Sequence, residues 1–308
     1  MGMRVTTNLS AINAQRNLVG SQRAIGDSMA KLASGSRINK ASDDAAGLAI
    51  SESFKAQIRS SAMAQRNAND GISMVQTAEG GLNEIGNIMS RLRELAVQGS
   101  SDTVGNTERG FLNKEYGQLK DEIDRITSST EYNGTRLLVG DQAGIDPALV
   151  NKSNPYPLEI QVGKDYFNGV DSLEQRNPVN TIKIDLQGIK TYTDGENSLG
   201  LGASDNPDGT GVDNKIRAQS SISTIDKAIE RVAEHRAYLG SIQSRLGSTI
   251  ANLSIQSENF TAANSRIRDT DFAEESAKLT QTNIIKQAGV AVLSQANQAP
   301  QAALRLLG

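Results

Sequence analysis

Ten positions between Ile222 and Leu253 advance by alternating threes and fours: Ile222, Ile225, Ile229, Val232, Arg236, Leu239, Gln243, Leu246, Ile250 and Leu253. Eight are apolar. A helix with this spacing carries an apolar seam narrower than the core face of a globular helix, and the seam must be covered by other helices. The other candidates lie far away in sequence. Val75, Ala78, Leu82, Ile85, Met89, Leu92 and Ala96 hold the same step, as do Leu112, Tyr116, Leu119, Ile123 and Ile126. Leu18, Gln22, Ile25, Met29 and Leu32 form a fourth such run, which predicts a helix from about Thr7 to Ala33. Taken from 222 to 267, the helix that carries the Ile222–Leu253 seam is roughly 70 Å long at about 1.5 Å per residue. Long seams at both ends of a chain point to assembly before they point to a pocket.

Punctuation supports this division. Ser34-Gly35-Ser36 breaks the first helix, Gly99-Ser-Ser-Asp102 ends the second, and Asn133-Gly134 marks a turn. Asp43-Asp44 precedes an Ala-rich stretch and suits a helix start, or a salt bridge between subunits. Five of six prolines fall between 147 and 207, and residues 141–214 carry 12 acidic against 5 basic residues. Proline is costly inside helices, so the flanks are free to be long helices and the acidic middle is not. There Leu158–Val162 and Ile182–Leu186 alternate apolar and polar and read as half-buried strands, between loops over 141–157 and 188–213. The last segment, with Leu279, Ile284, Ile285, Val290, Val292, Leu293, Leu304, Leu306 and Leu307, is amphipathic, with Pro300 as an expected disturbance.

The fold class expected is mainly α: a long antiparallel helical bundle or coiled coil with a small β-hairpin element. The terminal helices are expected to pair, and pairing alone leaves apolar surface that only other copies of the chain can cover.

Composition narrows the function. Aromatics make up 4% of the chain and Trp is absent, so Ala, Leu, Ile and Val must build the core. With no Cys there is no disulfide, thiol nucleophile or thiolate site. No secretory signal is recognisable, and no apolar run approaches the roughly 20 residues of a membrane span. A pI of 5.4 argues against a nucleic-acid surface. No catalytic, cofactor or metal site is expected. His235, the single histidine, is expected on a polar helix face, and Asp121, Glu122 and Asp124 on a solvated or intersubunit face. Gly200-Leu-Gly202 does not complete a phosphate loop. Arg236 and Gln243 interrupt the seam either as edge positions or as register determinants.

Several ordered motifs then identify a resemblance. Ala14-Gln-Arg-Asn17, Leu32-Ala-Ser-Gly-Ser-Arg-Ile-Asn39, Asp43-Asp-Ala-Ala-Gly-Leu-Ala-Ile50 and Arg66-Asn-Ala-Asn-Asp-Gly-Ile-Ser73 resemble the amino-terminal region of bacterial flagellins. Gln76–Glu79, Arg93–Gln98 and Glu122–Arg125 do so too, and Ala262–Asp269 and Gln295-Ala-Asn-Gln-Ala-Pro-Gln301 are similar to the carboxyl-terminal region. The resemblance covers roughly 1–140 and 215–308. It implies three parts: a terminal coiled-coil core domain from 1–45 plus 268–308, a helical rod domain from 46–140 plus 215–267, and a short β/loop region over 141–214 with little or no separate outer domain.

The resemblance also implies a structural subunit that polymerises head-to-tail into the flagellar filament, exported unfolded through the type III channel and located outside the cell. Its filament core contacts are expected at Leu9, Ile12, Leu18, Ile25, Leu32, Val292, Leu293, Leu304 and Leu307. The implied partners are the chain itself, an export chaperone at the carboxyl-terminal segment, and junction and cap proteins. Some members are bound by a Toll-like innate immune receptor, and the matching positions here are Arg91, Leu95 and Glu115. Ser90 stands where recognised members carry Gln. A hook–filament junction protein or a secreted adhesin of related build is the alternative.

Overall fold

The computed structural model describes residues 8–140, 157–163, 180–186, 188–194, 198–203 and 209–307, the side chains as far as residue 298. The elements run α1 (Leu9–Ser34), α2 (Ala45–Gly99), α3 (Asn106–Ser129), β1 (Glu131–Tyr132), β2 (Thr135–Arg136), β3 (Leu158–Gln161), β4 (Thr181–Ile184), α4 (Lys215–Arg268) and α5 (Phe272–Leu307). They divide into two compact units, Met1–Arg59 with Ser257–Gly308, and Ser60–Gln256. The divisions fall inside α2 and α4, 14 and 11 residues from the boundaries expected at 45 and 267.

In the unit Ser60–Gln256, α2, α3 and α4 pack around one core. Leu82, Ile85, Met89, Leu92 and Leu95 of α2 meet Tyr116 and Ile123 of α3 and Ile225, Val232, Leu239 and Leu246 of α4. The α4 stripe differs from the predicted seam in one respect. Ile225, Val232, Leu239, Leu246 and Leu253 are buried as expected, but the residues buried with them are Ala218, Ser221, Ala228 and Ile242. Ile222, Ile229 and Ile250 are only partly buried, at the flanks of that core. Ser221 shows what a small side chain permits here: its Oγ donates to Gly211 O and accepts from Gly211 N, both at 2.9 Å. Arg236 is exposed, with Nη2 4.0 Å from Glu79 Oε1 on α2. That is an edge position. His235 falls on the buried stripe between Val232 and Leu239 and is half-buried, not on a polar face. Burial lowers its pKa, against an opposing rise from Glu234.

The two predicted strands form an antiparallel pair, with Leu158 opposite Ile184 and Ile160 opposite Ile182. The hairpin face carrying Ile182 and Ile184 is buried. Asn67 Nδ2 of α2 donates to Gln161 O at 3.0 Å and so seats β3 on α2. Gly71 makes the approach possible: a Cβ there would lie 2.3 Å from Ile160 Cδ1. Asn133 and Gly134 have φ of 51° and 77°, the left-handed pair that joins β1 to β2 in a two-residue hairpin. Most of 141–157, and of the stretch where an outer domain would sit, lies outside the described residues.

Within the unit formed by Met1–Arg59 and Ser257–Gly308, α1 and α5 run antiparallel. At one end Asn8 Nδ2 donates to Ala296 O at 2.7 Å. At the other, Thr270 N donates to Gly35 O at 3.0 Å and Arg37 N to Arg268 O at 2.6 Å. Gly35, with φ 68°, supplies the left-handed cap that ends α1 and turns the chain into these contacts. Ahead of α2, Asp44 Oδ1 accepts from Gly47 N at 2.8 Å, while Asp43 Oδ2 accepts from Asn39 N and Lys40 N. Both acidic residues thus serve local capping, and these hydrogen bonds lower the pKa of Asp43.

Candidate assembly site

The α1–α5 pair buries little. Ala14 and Ser28 are the buried residues of α1, and Leu18, Ile25 and Leu32 are half-buried on the same side. Across from them on α5, Leu279, Lys286, Gly289, Leu293 and Ala296 are half-buried. The helices pack closely at Gly289, where an added Cβ would stand 3.3 Å from Leu18 Cδ1.

The expected filament contacts therefore fall into two groups. Leu18, Ile25, Leu32 and Leu293 face the intramolecular pair. Leu9, Ile12 and Val292 are exposed, Leu9 at 64% and Val292 at 58%. Leu304 and Leu307 lie beyond the described side chains. The structure adds Val19 and Met29 on α1, and Ile284, Ile285 and Val290 on α5, all exposed. Ile284 and Ile285 stood in the apolar run of the last segment, but spacing alone did not separate the residues covered by α1 from those left bare. Bare apolar side chains on both helices of a pair are what an interface between copies requires.

A second candidate surface lies on α2 and α3. Arg91 Nη2 and Nε donate to Glu115 Oε1 at 2.6 and 3.0 Å, and Nη1 donates to Glu94 Oε2 at 2.9 Å. The Glu115 hydrogen bonds, then those of Glu94, raise the Arg91 pKa. Leu95, expected at the same surface, is 0% exposed and belongs to the core. It can act there only by holding its neighbours in place. Ser90, Arg93, Glu94, Val97 and Gln98 line a shallow groove beside the pair.

Charged groups elsewhere are committed to structure. Asp124, expected on a solvated or intersubunit face, instead accepts from Thr193 N and Oγ1, both at 2.8 Å, and ties the 188–194 segment to α3. Desolvation raises its pKa against those hydrogen bonds. Glu122 pairs with Arg125. Lys120, which the sequence pattern did not single out, is 1% exposed, and its ammonium donates to the carbonyls of Leu201, Ala203 and Thr210. Among the described residues, no cluster of three or more His, Asp or Glu side chains has metal-binding geometry, and no helix is long and apolar enough to cross a membrane.

Comparison with known proteins agrees with this architecture. The bacterial flagellin N-terminal helical region matches residues 5–143 and the bacterial flagellin C-terminal helical region matches 222–307. A flagellin of Halalkalibacterium halodurans is 44% identical over 99% of this chain and all of its own length, and one of Bacillus subtilis is 41% identical at the same coverage. In fold, a putative flagellar hook-associated protein from Vibrio parahaemolyticus superposes with a TM-score of 0.52, covering 74% of this chain and all of its own, at 15% identity. The two helical regions, matched at the two ends of the chain together with relatives of its full length, show that the chain belongs to the bacterial flagellin family, as a structural subunit of the extracellular flagellar filament.

Proposed function

We propose that the unit formed by α1, α5 and the adjoining ends of α2 and α4 is the polymerising element of this subunit. The observation that carries the proposal is the set of apolar side chains left bare after α1 and α5 have paired, with Leu9, Ile12, Val19 and Met29 on one helix and Ile284, Ile285, Val290 and Val292 on the other. Each fully buried residue of this kind contributes about 1.5–3 kcal/mol, so several together suffice to drive association. The contact is head-to-tail and non-closing, which yields a fibre and not a ring.

The same bare residues make the carboxyl-terminal segment the place for an export chaperone, which would shield them before assembly, and for contacts with junction and cap proteins at the filament's ends. A Toll-like receptor would meet the half-exposed Arg91–Glu115 pair, with Leu95 beneath it. The role is structural and not catalytic; what supports this is that Asp124, Glu122 and Lys120 are each held by partners of the fold.

The test is Ile284→Asp together with Ile285→Asp. Two carboxylates placed in an apolar interface block its formation. The subunit keeps the wild-type unfolding transition of the Ser60–Gln256 core, and its critical concentration for elongating filament seeds rises more than 100-fold. Elongation at the wild-type critical concentration rejects the assigned surface.

A further inference from the structure

α5 runs as one helix from Phe272 to Leu307 and passes through Pro300 without interruption. Proline has no N–H, so the carbonyl four residues earlier loses its helical donor, and the ring also crowds that carbonyl. Four residues before Pro300 is Ala296. Its oxygen is the atom that accepts from Asn8 Nδ2 at 2.7 Å, across 288 residues of sequence.

Asn8 is at the same time the N-cap of α1, where its Oδ1 accepts from Ala11 N at 3.1 Å. The two bonds fix the orientation of the amide. Its oxygen must face the N–H of Ala11, so its nitrogen faces Ala296. Neither aspartate nor serine reproduces this arrangement. Aspartate caps as well but has no donor, and the serine hydroxyl, which also caps, is one bond too short to span both partners.

We propose that Asn8 is a register-setting residue for the terminal helix pair: one side chain caps α1 and supplies the donor that Pro300 withholds from Ala296, and so fixes which turn of α5 meets the start of α1. Other carbonyls of the α5 interior already have helical donors. Sliding α5 by one turn would leave the Asn8 amide facing a satisfied carbonyl and would leave Ala296 without its donor. The apolar side of the pair, with Gly289 against Leu18, is made of repeated small and aliphatic residues and discriminates poorly between registers; Thr270 N on Gly35 O and Arg37 N on Arg268 O hold the far end, and Asn8 holds this one. A polar contact at one position specifies a single one. The unpaired apolar residues of both helices are thereby presented in a fixed relation to neighbouring copies. The inference rests on the reading of this pair as the polymerising element.

The experiment uses full-length subunits elongating wild-type filament seeds, with the critical concentration as readout. Asn8→Ser and Asn8→Asp each raise it about fivefold, the worth of one net hydrogen bond. Pro300→Ala restores a helical donor to Ala296, so in that background both Asn8 changes alter it less than twofold. A fivefold effect in both backgrounds shows that the Asn8 amide acts independently of the donor missing at Pro300 and overturns the proposal. So does no effect in the Pro300 background, or a Pro300→Ala protein that does not elongate. A chain lacking 270–308 runs in parallel. If it elongates, the reading of the pair as the polymerising element fails; if it does not while the Asn8 variants behave as wild type, the register role alone fails.

Discussion

Removal of residues 270–308 leaves a protein that folds and stays monomeric at concentrations where the intact subunit forms filaments. The core that holds the Ser60–Gln256 unit together draws on Ala68 through Leu246, and none of its members lies in the deleted segment. Its unfolding transition is therefore retained. The deletion removes all of α5, and with it the side chains that half-cover Leu18, Ile25 and Leu32. α1, with 26 residues and a narrow apolar stripe, loses the helix it packs against, and helices in proteins draw most of their stability from such packing of an amphipathic face. Far-ultraviolet circular dichroism loses the contribution of both helices. Electron microscopy of the concentrated truncated protein shows no filaments, and sedimentation gives a monomer. Filaments from the truncated chain would place the polymerising contacts elsewhere.

Lys120→Met lowers the stability of the Ser60–Gln256 unit by about 1–2 kcal/mol at pH 7: methionine fills the space but offers no donor to the partly buried carbonyls of Ala203 and Thr210, and relief of the cost of burying the charge offsets part of the loss. Leu201 O loses less, since Thr210 N also donates to it at 2.8 Å. The ammonium of Lys120 lies 5.9 Å from the Tyr116 ring centroid, within reach of a cation–π contact that methionine lacks.

The pH dependence of this site has a definite sign. Burial pushes the Lys120 pKa down from 10.5 to about 8, assisted by Arg217 and opposed by Asp124, Asp194 and Asp121. Below about pH 8 the amine is charged both folded and unfolded, and the full cost of burying the charge is present. Between about 8 and 10.5 the unfolded chain holds the proton and the folded chain does not, so stability rises with pH on this group's account. Tyr116 acts oppositely above pH 10, because burial pushes its pKa up to about 12 and the unfolded phenol ionises first. The difference between wild type and Lys120→Met isolates the lysine. Urea unfolding at pH 7, 8.5 and 9.5 shows the gap between them widening as pH rises. A variant within 0.5 kcal/mol of wild type at pH 7, or a gap independent of pH, contradicts the assignment.

The long helices were legible because a three-four step sustained over many turns leaves few alternatives, and their ends because Gly35, Gly99 and Asn133-Gly134 carry specific turn chemistry. The strands at Leu158 and Thr181 were legible from period two. Less accessible was which side of each three-four step turns inward on α4. Hydrophobicity ranks Ile229 and Ile222 above Ala228 and Ser221, while close helix packing buries the smaller residue of each pair. His235 and Asp124 were misplaced for a related reason. Burial along a seam does not show in the residue itself, and the partner of Asp124, Thr193, lies 69 residues away. Lys120 gave no signal, because a lysine inside a helix looks the same whether it faces water or three carbonyls. Pro300 read as a disturbance, because its compensating donor is 292 residues away.

The family motifs point to the two ends of the chain but do not divide their apolar residues into those covered by the helix pair and those left bare. A helical reconstruction of the native filament decides this division. Leu9, Ile12, Ile284, Ile285, Val290 and Val292 are expected buried against neighbouring copies, with Asn8 still on Ala296 O. Those six side chains facing solvent in the filament, with the apolar contacts between copies drawn from the Ser60–Gln256 unit instead, would contradict it.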